Sequence, residues 1–255
     1  GAITPVAIFD QVLLAGTSVS RAVLHNQQFI SDKDIRIGDT IVVRKAGDII
    51  PEVLSSVSHQ ENSVPFMLPE LCPVCGPKAV HIADESVLRC PNSACPAQLL
   101  KNIIHFASKG AMNIDGLGDA IVALLFEYDL IGSVADLFDL TIEKLLTLDR
   151  FKEKSATNLV KAIDASRSAP MDRLLFGLGI RNIGSRAATL LCEKFGSMEA
   201  LMNADIAAIS SIDGFGDIMS QSVYEALREP HMRELLKRLE EKGLNFVYQS
   251  TKQSD

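Results

Sequence analysis

"IDGLGDA", residues Ile114–Ala120, runs directly into the apolar "IVALL" of Ile121–Leu125. A G-x-G turn that opens a helix presents free backbone N–H groups and the positive end of the helix dipole to an anion. One such turn does not separate a nucleotide phosphate from a nucleic-acid backbone, or either from a tight turn that only packs. The chain resolves the ambiguity by repeating it. "GLGDAIVALL" from Gly116 aligns with "RFKEKSATNLVKAI" from Arg150, "NIGSRAATLLCEKF" from Asn182 and "GFGDIMSQSVYEAL" from Gly214, with starts 34, 32 and 32 residues apart. Each copy has an apolar residue inside the turn (Leu117, Phe151, Ile183, Phe215), then a polar helix start, then a helix. The sixth residue after each start is Val122, Ala156, Ala188 or Ser220, small in three of four, as close helix packing requires. Short helices precede the later copies, at "TIEKLLTL", "MDRLLFGLG" and "ADIAAISSI".

Four regular copies suit a ruler laid along a polymer with repeating phosphates better than a single cofactor site. The plainer alternative is a helical array whose turns serve only packing. From Leu99 onward the pattern is helical nearly throughout, with apolar spacings of three and four. Residues 4 to 67 instead hold short β-rich runs, "VAIF", "VLLAG", "TIVVRKAG" and "IIPEVLSSV", broken by Gly, Asp and Pro. That pattern predicts a small β-barrel, with a short helical piece at Ser20–His25 sealing it. The expected architecture is therefore multidomain: a small barrel over 1–67, a cysteine-bearing segment over 68–98, and an all-α domain over 99–255 with turns near 116, 150, 182 and 214.

The 255 residues are 47% hydrophobic, and the formal net charge is −7. No apolar run reaches the ~18 residues of a membrane span, and no signal peptide precedes Thr4-Pro5. The sequence pI of about 5.3 excludes a broad basic surface, so any nucleic-acid binding must rest on placed contacts. From Leu99 on there are 18 basic and 22 acidic residues, a net of −4. Five cysteines without a secretory leader indicate a reducing compartment. Four of them form Cys72-x2-Cys75 and, fourteen residues on, Cys90-x4-Cys95, in a segment with five prolines and few core positions. Thiolates so paired fit a closed tetrahedral zinc site, structural because no position remains for water. His81, between the knuckles, is an alternative ligand or an exposed loop residue. Cys192 in "ATLLCEKF" reads as a small buried hydrophobe.

With those residues in view, the chain resembles the bacterial NAD-dependent DNA ligases. "LAGTSVSRAVLHN" (Leu14–Asn26), "DIRIGDTIVVRKAGDIIPEV" (Asp34–Val53), the four cysteines, "IIHFASKGAMNIDGLGD" (Ile103–Asp119) and "GLGIRNIGSRAA" (Gly177–Ala188) are similar to that family's successive signatures. The resemblance implies an OB-fold, a four-cysteine zinc finger and a domain of four tandem helix-hairpin-helix motifs. It also implies an upstream nucleotidyltransferase domain, whose K-x-D-G lysine takes AMP from NAD, and a BRCT domain beginning beyond Asp255. No K-x-D-G occurs here, so the chain is expected to be an excised DNA-gripping segment without catalytic residues of its own. The full-length enzyme would use NAD and Mg, work in the bacterial cytoplasm at the nucleoid, and seal nicks in replication and repair.

In that reading the partners are nicked double-stranded DNA and the missing adenylation domain, with no membrane. The phosphate donors are the backbones around Gly116, Gly118, Gly184, Gly214 and Gly216, which position the duplex without reading its sequence. The second and third turns are basic (Arg150, Lys152, Lys154; Arg181, Arg186), and the first and fourth are flanked by Asp115, Asp119, Asp213 and Asp217. Closest phosphate contact is expected at the middle two, with Lys154 and Arg186 contributing. The acidic flanks also read as helix starts stabilised by the dipole. The second copy has Arg150 and Lys152 where others offer Gly, and is strained if either needs φ > 0. In the barrel, Gly47-Asp48 forms a turn before Ile49 and Ile50. The resemblance places this pair in the minor groove beside the nick, whereas a core strand starting there is the alternative. Arg21, Arg44 and Lys45 are candidate backbone contacts.

Two other classes compete with this reading. A repair nuclease or helicase subunit using tandem hairpins would need clustered carboxylates for divalent metal, and here they are scattered. A protein-interaction module of another repair factor takes its support from the negative charge.

Overall fold

The computed structural model describes residues 1–47, 49–81 and 86–249, so the Asp48 half of the Gly47-Asp48 turn lies outside the described residues. The chain divides into two compact units, Gly1–Gln98 and Leu99–Asp255.

The first unit is built on a curled four-stranded sheet of order β1-β2-β4-β3, from β1 (Val6–Leu14), β2 (Thr17–Val23), β3 (Thr40–Ala46) and β4 (Ile50–Ser58). The two predicted runs "VAIF" and "VLLAG" form the single strand β1, whose register against β2 slips between Ile8 and Val12. Such a bulge sharpens the local twist and helps the sheet curl into a half-barrel. Ala7, Phe9, Ile41 and Val43 turn inward onto Ala22, Leu24, Ile35 and Val53. The short helix comes later than the sequence suggested. Ser20–Val23 continue β2, pairing Arg21 with Ile8 and Val23 with Val6. Helix α1 is Gln27–Asp32, because Asn26 supplies the N-cap: its Oδ1 accepts the Phe29 N–H at 2.9 Å. Ile30 from α1 and Phe66 from the segment after β4 then pack on the inner face of the sheet.

Beyond the sheet, β5 (Val80–His81) and β6 (Leu88–Arg89) form a short ribbon. The chain's first residues extend it: Ile3 N–H donates to Leu88 O at 2.8 Å, and Cys90 N–H to Gly1 O at 2.8 Å.

The second unit is helical: α2 (Pro96–Ala107, its first turn still in the first unit), α3 (Asp119–Glu127), a 3₁₀ turn (Val134–Asp139), α4 (Ile142–Leu146), α5 (Glu153–Ser166), α6 (Met171–Gly177), α7 (Ser185–Phe195), α8 (Met198–Asn203), α9 (Ile206–Ser210), α10 (Asp217–Ala226) and α11 (Pro230–Glu241). The pairs α2/α3, α4/α5, α6/α7 and α9/α10 are the four hairpins. Val122, Ala156, Ala188 and Ser220, the aligned sixth residues, are all fully buried. Leu117, Phe151, Ile183 and Phe215 are buried with them in one continuous core. The copies thus close around shared packing and are not an open stack of neighbours. Among the described residues, no helix is long and apolar enough to cross a membrane.

Candidate nucleic-acid interface and metal centre

Each hairpin turn spans four residues and is closed by the same backbone hydrogen bond. Leu117, Phe151, Ile183 and Phe215 donate their N–H to Ile114, Leu148, Ile180 and Ile212 at 3.2, 2.9, 3.1 and 3.0 Å. Both ends of every turn are buried apolar residues, and the two residues between are exposed. This staple leaves the turn's backbone facing outward.

The two glycines of the G-x-G pattern do different jobs. The first lies in the left-handed region: Gly116 has φ +83, Gly214 +85, and Asn182 takes the place at +63. Asn is the side chain that tolerates this region best. Arg150, at the same place in the second copy, is not among the positive-φ residues, so that turn takes another form and the anticipated strain does not arise. The second glycine needs no special backbone: Gly118, Gly184 and Gly216 have φ of −76, −83 and −85. A Cβ added at any of the three would meet nothing within 4 Å. Among the described residues, nothing around these three positions requires a glycine.

Capping points the same way. Helices α4, α8, α9 and α11 begin with Thr141, Ser197, Asp205 and Glu229, each accepting a first-turn N–H. Helices α3, α7 and α10 begin at the glycines with no side-chain cap. Their first-turn N–H groups therefore remain as outward donors at the positive end of a dipole. The second copy again differs: Lys152 N–H is taken by Ser155 Oγ at 3.0 Å. Of the four second helices, only α7 has no acid in its first turn, against Asp119, Glu153 and Asp217 in the others. Lys154 and Arg186 stand exposed at matching positions and make no ion pair among the described residues.

In the first unit, Thr17–Arg21, Lys45, Ile49 and Pro51 line one shallow concavity. Ile49 and Ile50 are 79% and 60% exposed, so neither enters the core although Ile50 begins β4. Arg21 is exposed on β2, while Arg44 is ion-paired with Glu52 across the β3–β4 ladder.

The four knuckle cysteines are the one cluster of metal-ligating type among the described residues, with their ligand atoms all within 4.8 Å of one another. Cys75 Sγ lies 3.4 Å from Cys90 Sγ, far beyond a disulfide bond. The donor set fits a tetrahedral site, since Zn–S bonds of about 2.3 Å put sulfurs about 3.8 Å apart. Backbone N–H groups of Cys75 and Val74 pull the Cys72 thiol down to about 6, and desolvation first of all pushes Cys75 up to about 12. Four thiolates in so small a volume need a cation to neutralise them. His81 is on exposed β5, outside the cluster. Cys192 is fully buried, and burial pushes its thiol up to about 12, the behaviour of an inert core residue.

Comparison with known proteins matches residues 1–64 to the NAD-dependent DNA ligase OB-fold domain and residues 72–97 to the NAD-dependent DNA ligase C4 zinc finger domain. This chain belongs to the NAD-dependent DNA ligase family. Residues 109–165 of the ligase-family chain match a SAM-like helix-hairpin-helix tandem, and residues 173–236 a helix-hairpin-helix motif. It is 50% identical over 254 residues to a DNA ligase of Lysinibacillus sphaericus, covering 99% of this chain and 38% of that protein. A DNA ligase of Macrococcus caseolyticus is 47% identical over 257 residues (100% and 39%), and one of Levilactobacillus brevis 50% over 252 (98% and 37%). The chain spans about two fifths of the length of the curated relatives it matches.

Proposed function

We propose that this chain is the part of an NAD-dependent DNA ligase that holds nicked duplex DNA, without sequence preference, while another part of the enzyme seals the nick. The observation that carries the reading is the triplet Gly118, Gly184 and Gly216: uncapped helix starts with open space where a side chain would stand. A phosphate oxygen fills that space and accepts the free N–H groups. Such contacts position the backbone and leave the bases unread, as sealing arbitrary nicks requires.

Within this reading, residues 1–67 form the OB domain, 68–98 the zinc finger and 99–255 the hairpin domain. Zinc on Cys72, Cys75, Cys90 and Cys95 is structural. Gly116 and Gly214 shape the outer turns. Lys154 and Arg186 add charge at the two basic ones, and the third, whose second helix has no acid in its first turn, is the firmest grip. Ile49 and Ile50 press on the minor groove, with Arg21 and Lys45 on nearby phosphates; Arg44 contributes only by exchanging Glu52 for a phosphate. NAD and Mg belong to the whole enzyme's chemistry, and the adenylated lysine comes from its nucleotidyltransferase domain. Incubated with NAD, this chain carries no AMP.

The test is binding to labelled nicked and intact duplexes across a salt series. Six to ten phosphate contacts give a log–log slope of about −5 to −9. A steep slope with a nick preference supports the whole reading, and a steep slope without one moves nick sensing elsewhere in the enzyme. Absence of binding at low salt would leave a protein-interaction module, in keeping with the net charge of −7.

A further inference from the structure

The segment after the fourth hairpin touches three separate parts of the helical unit. Arg238 Nη2 donates to Asp136 Oδ1 at 2.6 Å and Nη1 to Ser133 Oγ at 3.2 Å, more than a hundred residues back in the chain. Lys242 is ion-paired with Asp139 at the end of the same 3₁₀ turn. The Arg167 guanidinium, at the end of α5, donates to Lys242 O and to Phe138 O and lies 4.9 Å over the Phe138 ring. Asn245 N–H in turn donates to Arg167 O at 3.2 Å. The chain then runs along the end of α7, where Met198 N–H donates to Phe246 O and Tyr248 N–H to Gly196 O, both at 2.9 Å.

The far ends of α5 and α7 are therefore tied to one strip of backbone. These are the two helices whose near ends carry Lys154 and Arg186. Helix α5 has 14 residues, a lever of about 20 Å at 1.5 Å per residue. A pivot of about 10° at the tied end moves the other end by about 3.5 Å, enough to take an N–H group out of hydrogen-bond reach.

We infer that Arg238–Tyr248 is a positioning strap. It holds the second and third hairpins at one fixed spacing so that both engage the same duplex, and the Arg238–Asp136 and Lys242–Asp139 pairs latch it. The inference rests on the DNA-holding reading above. It makes Arg238 and Lys242 positioning residues that act through α5 and α7 and need not touch DNA. Asp136 is itself held in place, since its Oδ2 accepts Gly132 N–H, Ser133 N–H and Ser133 Oγ at 2.8, 2.7 and 2.9 Å. The anchor is thus fixed before the strap reaches it.

The experiment compares wild type with Arg238→Gln/Lys242→Gln and with the charge exchange Asp139→Lys/Lys242→Asp, using hydrogen exchange, helicity and duplex binding over salt. In the Gln double variant, exchange rises over residues 133–139 and 236–248 while the hairpin cores stay protected. Its duplex affinity falls about tenfold as two linked contacts become independent, and the log–log slope becomes shallower by about 2. The charge exchange restores the binding that Lys242→Asp alone loses. Faster exchange in the strap with wild-type affinity and slope overturns the inference while leaving the hairpins as the grip. A wild-type chain that binds no duplex overturns both.

Discussion

Asn182 and Gly184 flank Ile183 in the third hairpin and lie on opposite sides of the backbone map, Asn182 at φ +63 and Gly184 at φ −83. The residue that bends the turn is the asparagine. The glycine sits where any side chain fits, at the start of an uncapped helix with nothing within 4 Å of an added Cβ. Stability alone would favour serine there, and the caps Thr141, Ser197 and Asp205 on other helices of this unit illustrate the preference. In the proposed reading, that open position receives a backbone phosphate.

Gly184→Ser separates those two demands. A serine N-cap accepts a first-turn N–H and stabilises the helix by a few tenths of a kcal/mol relative to glycine. The melting temperature rises by about 1 °C. The same hydroxyl occupies the phosphate's place, and loss of a charge-assisted hydrogen bond lowers duplex affinity about tenfold. Calorimetry and a binding titration on one preparation decide it; a variant that gains stability and keeps its affinity sends Gly184 away from the DNA.

Lys154→Ala and Arg186→Ala probe the charge beside the turns. In the proposed reading each removes one cation near a phosphate, so each is expected to make the salt slope shallower by about 1, equally for all sequences. The Arg186 variant loses more affinity, since α7 has no first-turn acid while Glu153 partly offsets Lys154. Both sites are exposed, so melting shifts stay within about 0.5 kcal/mol. A sequence-dependent loss would mean base contacts and a different interface.

Much of this layout was legible because it rests on local or periodic signals. A spacing of 32 to 34 residues, with small residues at one phase in three of four copies, marks hairpins that pack on a common core, and paired cysteines mark a knuckle. The displaced α1 shows where local pattern fails: Ser20–Val23 look helical until Val6 and Ile8 pair with them, and such pairing is a tertiary effect. The division of labour within G-x-G was hidden because φ is not written in residue type; only Asn182 hinted which position bends. The strap and the attachment of Gly1 to Cys90 join residues about a hundred positions apart through side chains and carbonyls that have no sequence signature.

Acid should loosen the barrel through Asp39. Its side chain is 1% exposed, and burial alone would raise its pKa. His59, the Arg36 N–H and Ser56 Oγ outweigh that and hold the carboxylate below its usual range. A depressed folded-state pKa contributes stability above the unfolded value of about 3.9, lost as pH falls through the folded value. Asp34, beside Arg36 and His59, shifts in the same direction. The first unit therefore loses stability below about pH 4, and Asp39→Asn lowers stability at neutral pH while flattening that acid limb. An unchanged acid limb in the variant would assign the transition to other carboxylates.

Removing the metal tests the finger independently of DNA. Cys90 joins two tasks: its thiol lies against Cys75 Sγ, and its backbone N–H and C=O bond Gly1 O and the Gly1 ammonium at 2.8 and 2.9 Å. Cys90→Ser keeps that backbone and replaces one soft thiolate by a hydroxyl, a poor zinc ligand. Bound zinc should fall from one equivalent towards none, and the short β5–β6 ribbon that leads into Cys90 should lose its order, because the cysteine cluster itself has only Ala97 as an apolar neighbour packed on it. Structural zinc supplies such segments with about 10 kcal/mol of folding free energy, so no partial compensation by packing is expected. The helical unit keeps its own continuous core and melts as before. Metal analysis with segment-resolved hydrogen exchange reads both outcomes; one full equivalent of zinc with an unchanged ribbon would remove Cys90 from the ligand set.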